Sequence, residues 1–376
     1  MKNLLMKNKI IIGILFAFAL LIIAGCANNN TANNAAGNTA NANQIVKVGV
    51  IMPMSGDVAA FGNNVINGIK IAEKEMNLQN VQLIYEDGKC NAKDSVNAMN
   101  KLVQVDKVSA VIGELCSAAT LPNAPIANQY QIILLSPTAS APKIKDAGDY
   151  VFRTIPSDEN QGKFAAKLLE KRGHKSLAIL NTNEDYGLGL GAVLQQSFEA
   201  DGNKVTAVEK FNSGTTDLRT QLLKIKETNP DAIFIASNSI DSSVAIFKQI
   251  KELGITAKLF GSEALYGQSY IDGAKDAIEG LEVTTLTTGS SDFKQKYMAA
   301  YGKDAEPFSP FGYDAYKAIG LAIQQGARTG TEIKDKLYQE QFQGATGLIK
   351  FDSYGEVSGE YLVYKVVNQK YILQEN

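Results

Sequence analysis

Between residues 46 and 285 the chain alternates two hydrophobic periods, and this alternation restricts the fold more than any other feature. Short runs rich in Val, Ile and Leu recur at Val46–Met52, Val81–Glu86, Ser109–Gly113 and Ile132–Ser136. They return at Ser176–Asn181, Lys204–Phe211, Asp231–Ser237, Lys258–Gly261 and Leu281–Thr285. Each reads as a strand. Between them lie segments with helical spacing: Gly62–Met76, Ala92–Gln104, Glu159–Lys171, Leu188–Ala200, Asp217–Glu227 and Ser242–Leu253. In the first of these, Val65, Ile69, Ala72 and Met76 form one apolar stripe, as a helix packed on a sheet requires. Strands that are apolar throughout must be covered on both faces, so the rhythm predicts an α/β fold with parallel sheets between helices. The stretch Arg153-Thr154-Ile155-Pro156-Ser157-Asp158 interrupts the rhythm, which then restarts. It marks a crossing between two lobes, consistent with a chain too long for one core. The tail differs: helix-like Asp292–Ala300, Tyr313–Gln325 and Thr331–Tyr338 precede β-type runs at Leu348–Phe351, Glu360–Val367 and Tyr371–Leu373. Tyr354-Gly355-Glu356 reads as a hairpin tip, and no internal repeat is visible.

The N-terminus carries Lys2, Lys7 and Lys9 before an apolar run from Ile10 to Ala24. That run is short for a membrane span and has the length and charge of a signal-peptide core. It ends in Ile23-Ala24-Gly25-Cys26, which resembles the bacterial lipobox. Residues 1–25 are therefore expected to be a lipoprotein signal peptide, with Cys26 lipidated. An uncleaved anchor helix would equally leave the rest of the chain outside the cytoplasmic membrane. Residues 26–44 are rich in Asn, Ala and Thr and hold too little apolar surface to fold. They read as a tether with a mean reach of about 20–25 Å. Cys90 and Cys116 remain as an even pair in an oxidising compartment, either disulfide-bonded or two buried thiols. The formal charge of −2 falls to −5 without the three leader lysines, and no basic stripe suggests nucleic acid.

Catalytic signatures are missing. The one histidine, His174, stands in the turn Lys171-Arg172-Gly173-His174-Lys175 and reads as a solvated loop residue. No spare cysteine cluster accompanies it, so no metal site is expected. There is no Gly-x-Ser-x-Gly elbow and no phosphate-binding Gly-x-x-x-x-Gly-Lys-Ser/Thr. Gly187-Leu188-Gly189-Leu190-Gly191 fails the dinucleotide spacing and reads as a strand-to-helix turn. Two polar loops stand out instead. Gly113-Glu114-Leu115-Cys116-Ser117 and Ser136-Pro137-Thr138-Ala139-Ser140-Ala141-Pro142 each follow a buried-looking strand. Small ligands bind beyond the carboxyl ends of such strands, and serine hydroxyls with free N–H groups there can hold an anion. The same serines also suit ordinary helix caps.

From about Ile45 to about Thr285 the chain resembles the branched-chain amino-acid-binding proteins of bacterial and archaeal ABC importers. The ordered segments are Val48-Gly49-Val50, Ser55-Gly56, Phe61-Gly62, Gly113 to Ser117, Ser136 to Pro142, Phe152-Arg153-Thr154, Asp185-Tyr186-Gly187 and Gly261-Ser262-Glu263. The resemblance implies the type I periplasmic binding fold: two Rossmann-like lobes with parallel sheets, joined by a multi-strand hinge. Lobe 1 would comprise 45–157 plus about 287–345, and lobe 2 would comprise 158–286 plus about 346–376. It implies a Cys90–Cys116 disulfide. Ser117 and Ser140 would hold a ligand carboxylate, the latter at a position usually held by Thr. The Thr138 carbonyl and Glu263 would hold the ligand ammonium, with Ala139 in the same loop. Phe61, Leu115, Cys116 and Tyr186 would wall the side chain. Around Asn238-Ser239-Ile240, where relatives often carry an aromatic, the pattern departs. No catalytic residue, metal or cofactor is implied. The implied function is capture of an amino acid, branched-chain or otherwise apolar, for an ABC permease. The protein would be a monomer at the periplasm or cell surface, held to the membrane by its lipid. A sensory protein of the same fold, binding an amide or urea, is the alternative.

Overall fold

The computed structural model describes residues 44–374. The expected leader 1–25, the lipidated Cys26 and the tether up to Asn43 lie outside the described residues. Strands β1 (Val46–Met52), β2 (Val81–Asp87), β3 (Ala110–Gly113), β4 (Ile133–Ser136) and β5 (Val151–Arg153) form one sheet, in the order β2-β1-β3-β4-β5. Every pairing in it is parallel. Strands β6 (Ser176–Thr182), β7 (Lys204–Phe211), β8 (Ala232–Ala236), β9 (Lys258–Gly261) and β10 (Glu282–Thr285) repeat that order as β7-β6-β8-β9-β10. The two halves thus share a topology without sharing a visible sequence repeat. β3, β4 and β8 are buried along their whole length, as strands covered on both faces must be.

The tail forms the ribbon β11 (Gln341–Gln343) and β12 (Leu348–Lys350), then β13 (Leu362–Val367) and β14 (Lys370–Gln374). β13 extends the second sheet antiparallel to β10, and β14 pairs antiparallel with β13, so that sheet is mixed rather than wholly parallel. An antiparallel partner needs no crossover helix, which is why two short strands suffice here. The chain passes from one sheet to the other at 154–157, and again at 286–290 and 351–361. Helices 309–324 and 330–339 pack back onto the first half: Gly312 sits against the Val65 carbonyl, and Gly330 against Gln131. Phe351 meets Phe152 edge-on at 5.3 Å. We therefore propose that lobe 1 keeps residues up to about 350, beyond the 345 read from the sequence.

Helix starts follow the capping residues. Asn91, Ser157, Ser290 and Thr329 each accept a backbone N–H of the first turn, and Thr329 with Glu332 completes a reciprocal capping box. Three local readings need correction. Tyr354-Gly355-Glu356 is a tight turn, but β12 and β13 on either side pair with other strands, so it is not a hairpin tip. Gly187, Gly189 and Gly191 lie inside the helix Asp185–Ala200. Their missing side chains let that helix press on Thr182, Pro142 and Asn181, and a Cβ on Gly189 would stand 2.7 Å from Pro142 Cδ. His174 is half-buried with its ring edge-on to Phe260 at 5.3 Å, and burial lowers its pKa.

Candidate ligand-binding site

In a sheet ordered β2-β1-β3-β4-β5, the crevice opens where neighbouring connections leave in opposite directions, between β1 and β3. The second sheet has its equivalent between β6 and β8. These two crevices face each other, and the segments leaving β1, β3, β6 and β8 supply most of one cavity. Phe61, Leu115, Cys116, Ser117, Tyr186 and Asn238 come from them, Thr138 follows β4, and Glu263 and Ala264 follow β9. Phe308 closes the wall. The empty space in and at the mouth of the cavity is about 370 Å³.

The lobe 1 side is a stitched pair of loops. The Ser136 hydroxyl donates to the Glu114 carbonyl at 2.6 Å and accepts from Ala139 N–H at 2.9 Å. Thr138 Oγ1 donates to the Leu115 carbonyl at 2.8 Å. Ser117 opens the short helix Ser117–Thr120, and its Oγ accepts from Ala141 N–H at 3.1 Å. The Cys90–Cys116 disulfide is formed, with Cα atoms 5.4 Å apart, and fastens the residue next to Ser117. Arg153 is fully buried beneath these loops. Its Nη1 donates to the carbonyls of Ser140 and Ala141 at 2.7 and 3.0 Å, and its Nη2 pairs with Glu356. Arg153 thus holds the carbonyl side of the loop, while the Ser136 and Ser117 hydroxyls hold the N–H groups of Ala139 and Ala141.

The lobe 2 side offers an acid. Glu263 begins a single helical turn after β9 and is only 4% exposed. Its Oε2 accepts no hydrogen bond. Burial raises its pKa, against hydrogen bonds from Gln161 and Tyr186. The Tyr186 hydroxyl lies 2.7 Å from Ser262 Oγ and also interacts with Glu263. Asp158 is also fully buried; burial first, and the charge of Glu263 second, hold its carboxyl well above the ordinary range.

Seven of the residues expected at the site line the cavity together: Ser117, Thr138, Glu263, Tyr186, Phe61, Leu115 and Cys116. Ala139 and Ser140 are buried in the same loop but lie behind the lining. The Ser140 hydroxyl donates to Asp158 Oδ2 at 3.0 Å, and its carbonyl accepts from Arg153 Nη1. Sequence reasoning missed Ala264 and Phe308. Phe308 lies far along the chain from Phe61, yet their rings meet edge-on at 5.4 Å. Asn238 stood only in the segment that departs from the expected pattern.

The halves touch around the cavity. Asp57 of the first half accepts from Ser239 Oγ at 2.8 Å, Ile240 N–H at 3.0 Å and Asp241 N–H at 3.2 Å. It thereby caps, from across the cleft, the helix Ile240–Glu252. Lys143 pairs with Asp185 at 2.8 Å. Among the described residues, no group of three or more His, Cys, Asp or Glu is placed to hold a metal ion. No described helix is long and apolar enough to cross a membrane.

Two mirrored crevices closing on one small cavity define a two-lobed binding protein, and the chain belongs to the periplasmic binding protein family, whose model matches residues 45–370. The leucine-, isoleucine-, valine-, threonine- and alanine-binding protein of Pseudomonas aeruginosa is 28% identical, over 93% of this chain and 94% of its own length. A branched-chain amino acid transporter substrate-binding protein of Streptococcus pneumoniae, solved with isoleucine, is 25% identical, with a TM-score of 0.80 over 87% of this chain and 98% of its own. The fold alone is shared with a solute-binding protein of R. palustris in complex with benzoate, at 18% identity and a TM-score of 0.80, covering 88% of this chain and 95% of that one. The chain is accordingly a solute-binding protein and not an enzyme, in a family of periplasmic binding proteins.

Proposed function

We propose that this protein closes its lobes over a zwitterionic amino acid with an uncharged side chain and delivers it to an ABC permease, tethered to the membrane by a lipid on Cys26. The observation that carries this reading is the unpartnered, buried Glu263 Oε2 at a largely apolar cavity. A buried carboxylate is costly without a cation, and an α-ammonium group supplies one. On the facing side, the Ser117 hydroxyl suits an α-carboxylate. Arg153 and Asp158 hold the Ser140 loop in position. Phe61, Leu115, Cys116, Ala264 and Phe308 surround the ligand side chain. The similarity to amino-acid-binding relatives supports the same class. Because Glu263 stands on the opposite lobe from Ser117, one ligand draws both lobes together, and closure follows from contacts that only the closed form makes.

Isothermal titration of ligand-stripped protein against the common amino acids tests the proposal. Micromolar or tighter binding of at least one neutral amino acid is expected, and Glu263→Gln should weaken it about 10- to 100-fold, the worth of a charge-assisted hydrogen bond. Binding of urea, short amides or benzoate with no response to any amino acid would overturn it.

A further inference from the structure

We infer that the ligand's side chain carries a hydrogen-bond donor, a hydroxyl or a carboxamide, which Asn238 Oδ1 accepts. The inference rests on the amino-acid reading of the cavity and narrows it. Once Ser117, Thr138 and Glu263 are assigned to the ligand's charged ends, and the Tyr186 hydroxyl is engaged by Ser262 and Glu263, one polar side chain remains in the lining. That residue is Asn238. Its Nδ2 donates towards Cys116 Sγ at 3.7 Å, and the Glu184 carboxylate also accepts from this side chain. Its Oδ1 is buried and accepts nothing. The opposite amide orientation would turn the carbonyl oxygen onto the Glu184 carboxylate, two acceptors with no proton between them.

Asn238 is also held in place from both sides. The Ser237 hydroxyl accepts from Ser239 N–H at 3.3 Å and from Ser243 Oγ at 2.8 Å. Ser239 and Ile240 are in turn tied to Asp57 across the cleft. With its backbone so fixed and its Nδ2 turned towards Cys116 and Glu184, Asn238 presents Oδ1 as an unpaired acceptor. A ligand that leaves a buried acceptor unpaired loses affinity, whereas one that supplies a proton does not. Sites built to hydrogen-bond a substrate group discriminate against the isostere that lacks it far more sharply than apolar pockets discriminate by size.

Isosteric pairs isolate this effect. With ligand-stripped wild-type protein, threonine is compared with valine and asparagine with leucine by titration calorimetry. The polar member of at least one pair should bind at least tenfold tighter than its apolar isostere. Asn238→Leu should remove or reverse that preference while preserving or improving affinity for the apolar member. Wild-type protein that prefers the apolar member of both pairs would overturn the inference, and this comparison needs no variant to fold. Equal weakening of both members by Asn238→Leu would also overturn it, since Asn238 would then serve the ligand's common ammonium. Failure of every amino acid to bind would instead remove the underlying reading of the site, and this inference with it.

Discussion

Glu114 offers the sharpest quantitative test of how the loop after β3 is built. It follows β3 directly, is fully buried, and accepts Leu115 N–H on Oε2 at 2.9 Å. Its Oε1 has no partner and lies against Gly88, where no Cβ would fit. Burial pushes its pKa from 4.5 up to about 8, against the N–H groups of Leu115 and Cys116. The folded protein therefore holds a proton on Glu114 that the unfolded chain has already lost. Stability from this group is complete below pH 4.5, declines as pH rises, and levels off above about pH 8. At about 1.4 kcal/mol per pH unit the full decline is about 5 kcal/mol, of which about 2 kcal/mol falls between pH 6 and pH 8. Glu114→Gln keeps the shape and an acceptor for Leu115 N–H but cannot ionise. Urea denaturation of ligand-free, disulfide-intact protein, run at several pH values, should show the variant gaining about 2 kcal/mol on the wild type between pH 6 and pH 8. Parallel stability curves for the two proteins from pH 5 to pH 9 would refute the reasoning.

Two further outcomes follow from the cleft. Asp57→Ala removes the cap that reaches across to Ser239, Ile240 and Asp241, so ligand release measured by stopped flow should accelerate about fivefold, the worth of about 1 kcal/mol of capping. The acceleration should be the same for every ligand, because Asp57 does not line the cavity; a ligand-dependent effect would place it among the selecting residues. Replacing both Cys90 and Cys116 by Ser should cost about 2–4 kcal/mol in denaturant unfolding, as expected for a cross-link closing a loop of moderate length. It should also weaken ligand binding, because Cys116 borders Ser117; unchanged affinity would separate the disulfide from the site.

Much of the site was legible because it sits where strands end. Ser117, Thr138 and Glu263 each follow an apolar run, and the carboxyl ends of such strands are where open sheets bind ligands. Tyr186 and Phe61 were legible from their place in the ordered segments. The opposite holds for Ser140. Its hydroxyl marked it as a ligand contact, yet a buried Asp158 from the crossing segment takes that hydroxyl. Arg153 stood in a recognised segment, but its grip on two loop carbonyls depends on Glu356, which arrives from the far end of the chain.

Local sequence determined the strands and helices, because periods of two and 3.6 residues and the capping serines, asparagines and threonines act over a few neighbours. It determined the two-lobed α/β class, because apolar strands alternating with amphipathic helices have few other ways to bury their surfaces. Tertiary structure alone decided that Phe308 meets Phe61, that Asp57 caps a helix of the other half, and that β13 and β14 run antiparallel. It also decided which polar atoms are left without partners. Whether Glu263 Oε2 or Asn238 Oδ1 is paired depends on every residue packed around it, and those residues come together only when the two halves close.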